Sequence, residues 1–114
     1  MSALDDIAAE RQRQKAVEGW TEAHDDEYEF GDIALAAAAY AAASSPRGQQ
    51  GDVMVGRTQE WRRAGWFDLP RLLWPWTPMW WKPTTPRRNL VKAGALIVAE
   101  IERLDRAALK SLET

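Results

Sequence analysis

The chain has 114 residues, with 15 Lys and Arg against 17 Asp and Glu, a formal charge of −2 and no cysteine. This length predicts a single domain spanning 1–114 that can bury a core without staples, and the lack of cysteine excludes disulfides and thiolate metal sites. The acidic balance argues against a general binder of nucleic-acid polymers, which would carry net positive charge.

The first predicted helix covers residues 2–18. Ser2 caps it, and Asp5 and Asp6 occupy the first turn, where negative charge suits the helix dipole. Leu4, Ile7, Ala8 and Val17 fall near one stripe, with Arg11 and Gln14 on the same face. Two readings of that polar pair stay open: a partly solvated surface helix, or side chains turned toward a ligand or a buried carboxylate. Gly19 ends the helix as a C′ glycine does, and Trp20 is expected to fold back onto the core.

A second helix opens in the acidic stretch TEAHDDE, with Asp25 or Asp26 as its cap and Glu29 three residues after Asp26, the spacing of a capping box. It is expected to run on through Phe30, Ile33, Ala34, Ala37, Tyr40 and Ala41, spaced three and four apart. Its alanine run has high helix propensity and small side chains that let another helix approach closely.

Ser, Pro, Gly and Gln dominate residues 44–57, which predicts a flexible loop or a flap over a site. A short helical turn is expected at 58–64. Residues 74–88, WPWTPMWWKPTTPRR, hold four of the seven tryptophans and four of the six prolines. The prolines forbid regular helix and predict a stiff, structured loop whose order comes from burying indole rings. The last helix starts at Thr85 or Pro86. Leu90, Ala93, Gly94, Ile97, Ile101, Leu104 and Ala108 form its apolar stripe, widened by Val91, Ala95, Val98 and Leu109, with Glu102 and Arg106 spaced for a surface pair. The small patch at 93–95 is suited to receive the alanine face of the second helix.

No strand or repeat is recognisable. The expectation is an all-α fold: a small three- to four-helix bundle with a structured Trp/Pro-rich loop, homo-oligomeric because of its aromatic load and broad apolar last helix. No run is long and apolar enough for a membrane span, and the charged opening lacks an apolar signal core. A cytoplasmic protein without a membrane partner follows.

Two constellations carry candidate chemistry. In the first, Trp76, Trp80 and Trp81 offer flat faces beside Lys82, Arg87 and Arg88, a combination suited to a planar, anionic ligand such as a nucleotide. Stacking a base on an aromatic ring is worth roughly 1–3 kcal/mol, and guanidinium groups grip phosphate through paired hydrogen bonds. Arg87 and Arg88 also lie at a helix start, where cations are disfavoured unless an anion joins them. Arg11, Trp20, His24 and Asp25 are expected to line the opposite wall. The competing reading makes the tryptophans core and the cations solvated or paired with acids. The second constellation, Asp25, Asp26, Glu29 and Glu100, has a spacing able to hold Mg²⁺ or Mn²⁺ for phosphate hydrolysis, although acids at a helix start are expected on electrostatic grounds alone.

ERQRQ at 10–14, EGWT at 18–21, HDD at 24–26, WPW and WWKP within 74–83, and RRNLVKAGALIVAEIERLDR at 87–106 resemble a family of small uncharacterised phage and prophage proteins. In that family a Glu directly precedes HDD; here Ala23 stands there and the acid is Glu22, which weighs against a catalytic Glu at that position. The resemblance implies a counter-defence or nucleotide-pool role. One form is a sponge that sequesters a nucleotide-derived immune signal without turnover and needs no cofactor. Another is a metal-dependent enzyme like the all-helical nucleotide pyrophosphohydrolases, and a third is a protein inhibitor of a host enzyme. The chain lacks the paired Glu-x-x-Glu and Glu-x-x-Asp pattern of those hydrolases, so a non-enzymatic role is favoured.

Overall fold

A computed structural model describes the fold at residues 2–55, 60–63 and 68–113. Among these residues the scaffold is helical: α1 (Ala3–Ala16), α2 (Glu22–Asp25), α3 (Asp32–Ala43), α4 (Pro46–Gln50), α5 (Leu69–Leu73) and α6 (Pro86–Glu113). No described helix is long and apolar enough to cross a membrane.

The helical expectation fails at one place. β1 (Asp52–Val55) and β2 (Glu60–Arg63) pair antiparallel, with Val53 opposite Arg62 and Met54 opposite Trp61. A strand thus replaces the helical turn expected at 58–64, of which residues 58, 59 and 64 lie outside the described residues. β-branched and aromatic residues suit a pleated ladder better than a lone helical turn. Part of the loop expected at 44–57 is also regular: Ser45 caps α4, Pro46 opens it, and Gly51 at φ +71° closes it. Residues 56 and 57 lie outside the described residues.

α1 begins with a capping box, Ser2 accepting from the Asp5 amide at 3.0 Å. Its expected face turns inward only in part: Ile7 packs on Gly94 of α6 and Arg11 and Gln14 are buried, with Glu10 beside them, while Leu4 and Val17 at its two ends are 78% and 70% exposed. Of the two readings of Arg11 and Gln14, inward-facing is the one realised. Gly19, at φ +76°, reverses the chain, and the Trp20 amide bonds back to the Gln14 carbonyl at 3.0 Å. Thr21, not Asp25 or Asp26, caps the second helix by accepting from the His24 amide at 3.3 Å. α2 lasts one turn, and the left-handed Gly31 (φ +87°) precedes a fresh start in α3. Phe30 therefore falls outside the helix and is exposed, whereas Ile33, Ala37 and Tyr40 are buried as their spacing predicts.

α6 has 28 residues and is about 42 Å long at 1.5 Å per residue. α3 packs on it, and Ala36, Ala37 and Ala39 share one buried cluster with Ala93, Leu96 and Ala99. Gly94 instead receives α1: a Cβ there would lie 2.8 Å from Ile7 Cδ1. The predicted apolar face of α6 enters the core only through its smaller members, Ala93, Val91 and Ala95. Leu90, Ile97, Ile101 and Leu104 are about half exposed, and the buried face is Val91, Ala93, Ala95, Leu96 and Ala99 with Asn89, Lys92, Glu100 and Arg103. The expected Glu102–Arg106 pair is not formed either: Glu102 pairs with Arg11, and Arg106 pairs with Asp26 at 2.8 Å.

Candidate functional site

Prolines keep residues 74–85 out of regular helix except for one 3-10 turn at Pro78–Trp80. Three polar side chains from the helices hold this loop. The Tyr40 hydroxyl accepts from the Lys82 amide at 3.2 Å, Lys92 Nζ donates to the Lys82 carbonyl at 2.6 Å, and Asn89 Oδ1 accepts from the Thr84 amide at 2.7 Å. Burial pushes the Tyr40 phenol above its ordinary pKa and the Lys92 ammonium below its own.

The rings divide into an inner and an outer group. Trp81 packs inward, 4.7 Å from Tyr40 and 5.0 Å from the buried Trp74, whose Nε1 donates to the Thr77 carbonyl. Trp76 joins this group to an outer one, lying 5.3 Å from both Trp74 and Tyr28 and 5.6 Å from Trp20. His24 stacks on Trp20 at 6.4 Å with planes 14° apart and lies 5.0 Å from Tyr28. The outer rings open as a cleft of about 520 Å³ lined by Glu18, Trp20, His24, Tyr28, Pro75, Trp76, Thr77 and Trp80.

Behind this wall runs a polar relay. Arg11 Nη2 meets Asp25 Oδ2 at 2.9 Å, both side chains only 4% exposed, and Arg11 Nη1 donates to the Trp20 carbonyl at 3.1 Å. Asp25 Oδ1 lies 3.1 Å from His24 Nδ1. A carboxylate only accepts, so Nδ1 carries a proton in this contact. No described residue bonds to Nε2. The Trp76 Nε1 donor is also buried without a partner among the described residues.

Of the residues expected to bind ligand, Trp20, His24, Trp76 and Trp80 converge on the cleft, with Arg11 and Asp25 directly behind. Lys82 stands at the rim, 5.5 Å over the Trp80 ring and 3.5 Å from Glu18. Trp81, Arg87 and Arg88 are not brought there. Trp81 fills the inner group, Arg87 pairs with Asp6 at 2.6 Å, and Arg88 pairs with the buried Glu10. The conflict of two cations at a helix start is thus relieved by acids of α1.

Glu18, Tyr28 and Thr77 belong to the cleft and escaped the sequence reading. Only the adjacency of Glu18 to Trp20 and the four-residue step from His24 to Tyr28 hinted at them.

Asp25, Asp26, Glu29 and Glu100 do not converge on a metal-binding group. Asp25 is held by Arg11, Asp26 by Arg106 and Glu100 by Arg103, and no three His, Asp or Glu side chains gather around a common point among the described residues. Comparison with family models, curated proteins and solved structures finds no match.

Proposed function

We propose that this protein binds the planar ring of a nucleotide-like molecule in the Trp20–His24–Tyr28–Trp76–Trp80 cleft and sequesters it without turnover. The observation that carries this reading is the cleft itself: five rings around about 520 Å³, within the usual range for small-molecule sites. His24 Nε2, which no described residue bonds, gives a heteroaromatic ring a polar partner to match. Lys82 at the rim is the available cation for a phosphate left outside. Three of the four carboxylates of the hydrolytic alternative, Asp25, Asp26 and Glu100, are each paired with an arginine, which favours holding over cleaving. Removal of a signalling nucleotide, as an anti-defence sponge in a phage-infected cell, is the role this chemistry suits.

Titration with adenine, guanine and pyrimidine mono- and cyclic nucleotides, followed by tryptophan fluorescence and calorimetry, tests the proposal. Quenching with micromolar affinity and recovery of intact ligand after heat denaturation are expected. Failure of every nucleotide at millimolar concentration, or recovery of cleaved product, refutes it.

One observation favours a second reading. Among the described residues lining the cleft Glu18 alone is formally charged, and rings around a carboxylate also suit an organic cation through cation–π attraction. Titration with tetramethylammonium and trimethyllysine separates the two readings.

A further inference from the structure

The side of α6 that the core leaves uncovered carries Leu90, Ile97, Val98, Ile101, Leu104 and Leu112, each between 37% and 83% exposed. From Leu90 to Leu112 these residues keep to one side of the helix over about 33 Å, with Ile7 of α1 packed against Gly94 between Leu90 and Ile97 and the face open from Ile97 onward. Beside them, Ala34, Ala38 and Ala41 of α3 form a shallow wall along Ile97 and Ile101. None of its residues lines the cleft of the outer rings.

We infer that this face is the interface of a two-fold homodimer in which α6 packs antiparallel against α6 of a second copy. Steps of three and four residues between Ile97, Ile101 and Leu104 make a seam that a copy of itself can interdigitate, and the alanine wall admits close approach. An antiparallel pair also sets each helix dipole against the opposite end of the other. The area suffices. Six aliphatic side chains at these exposures present on the order of 600 Å² per copy, or about 1,200 Å² for the pair, which reaches the size of a specific interface. A patch of that extent is at the upper limit of what monomeric proteins leave open.

The test is sedimentation of the intact chain between 1 and 100 μM, with the Ile97→Lys/Ile101→Glu variant beside it. Twice the 12.9 kDa chain mass is expected for the wild type and single-chain mass for the variant, with helical circular dichroism unchanged because both side chains are already half exposed. Should the double variant misfold, a single Ile101→Cys change supplies a second measurement. The chain has no native cysteine, so residues near a two-fold axis would link to their own copies on oxidation, while Leu72→Cys, on exposed α5, would not. A wild type that stays single at 100 μM, whether bare or holding a foreign partner on this face, overturns the proposal. So does a dimer that survives Ile97→Lys/Ile101→Glu, or equal crosslinking at both cysteines.

Discussion

Asp25→Asn separates what the polar relay does for the fold from what it does for the cleft. Asp25 and Arg11 are each 4% exposed on their side chains, and removing one partner of such a buried pair costs about 3–5 kcal/mol when the other is stranded. Here the stranding is incomplete. Arg11 keeps the Trp20 carbonyl at 3.1 Å and Glu102 at 3.3 Å, and the carboxamide retains one oxygen. The loss should therefore fall to about 2 kcal/mol, or about 8 °C in melting temperature for a domain of this size. The effect on the cleft is of another kind. An amide nitrogen facing His24 Nδ1 donates to it, so Nδ1 can no longer carry the proton and the hydrogen bonding of the ring that lines the cleft changes. Affinity should fall tenfold or more at temperatures where the variant is fully folded. Thermal melts give the first quantity and fluorescence titration the second, and a double-mutant cycle with Arg11→Gln isolates the pair. A cycle coupling indistinguishable from zero, or a stability change under about 0.5 kcal/mol, would refute the buried relay.

Other perturbations separate the two ring groups and the polar frame. Trp80→Ala, at a 38% exposed ring, should cost about 1–3 kcal/mol of ligand affinity and little stability, by the same titration and melts. Trp74→Ala, at a buried ring, should instead cost about 3–5 kcal/mol of folding free energy in urea denaturation. Burial raises the Glu10 pKa, but Arg13 and Arg88 outweigh it and hold the carboxyl below its ordinary 4.5. A depressed carboxyl stabilises the fold above its unfolded pKa and loses that contribution as pH falls through the folded one. Glu10→Gln should therefore be less stable than wild type at pH 7, with the gap closing below about pH 4 in parallel melts. Gly19→Ala meets no atom within 4 Å, so its cost should be that of left-handed backbone alone, about 1–2 kcal/mol; a neutral change would mean that the turn differs in solution.

Elements with local causes were readable from the chain. The Ser2 cap, the Gly19 stop, the Pro86 start and the alanine run each act within a turn of themselves, and α1, α3 and α6 stand close to where those signals put them. Rotation of the helices was not readable in the same way. Periodicity finds the strongest apolar stripe, and on α6 the core takes Ala93 from it but leaves its large members Leu90, Ile97, Ile101 and Leu104 about half exposed. The face that is used consists of alanines and paired charges, whose small apolar signal is overridden. The site divides along the same line. Trp20, His24 and Trp76 could be singled out because ring type alone marks them. The loss of Arg87 and Arg88 to Asp6 and Glu10 could not be foreseen, since those pairs span 81 and 78 residues and no local spacing encodes them.

The charged interior explains how a loop without regular hydrogen bonding can present rings at fixed positions. Proline removes amide donors and indoles pack without strong direction, so the loop cannot set its own register. Tyr40, Asn89 and Lys92 set it by gripping the backbone at two points, residues 82 and 84. Glu10 and Glu18, from α1 and the turn after it, pair with Arg88 in the first turn of α6 and with the Lys82 side chain. Arg11 performs the matching task on the other wall, joining Trp20, Asp25 and Glu102. Each wall of the cleft is thus anchored to α1 and α6 by directional bonds. Apolar residues of similar volume could match the stability of these pairs but not their geometry, and ring spacing is what a stacking site requires.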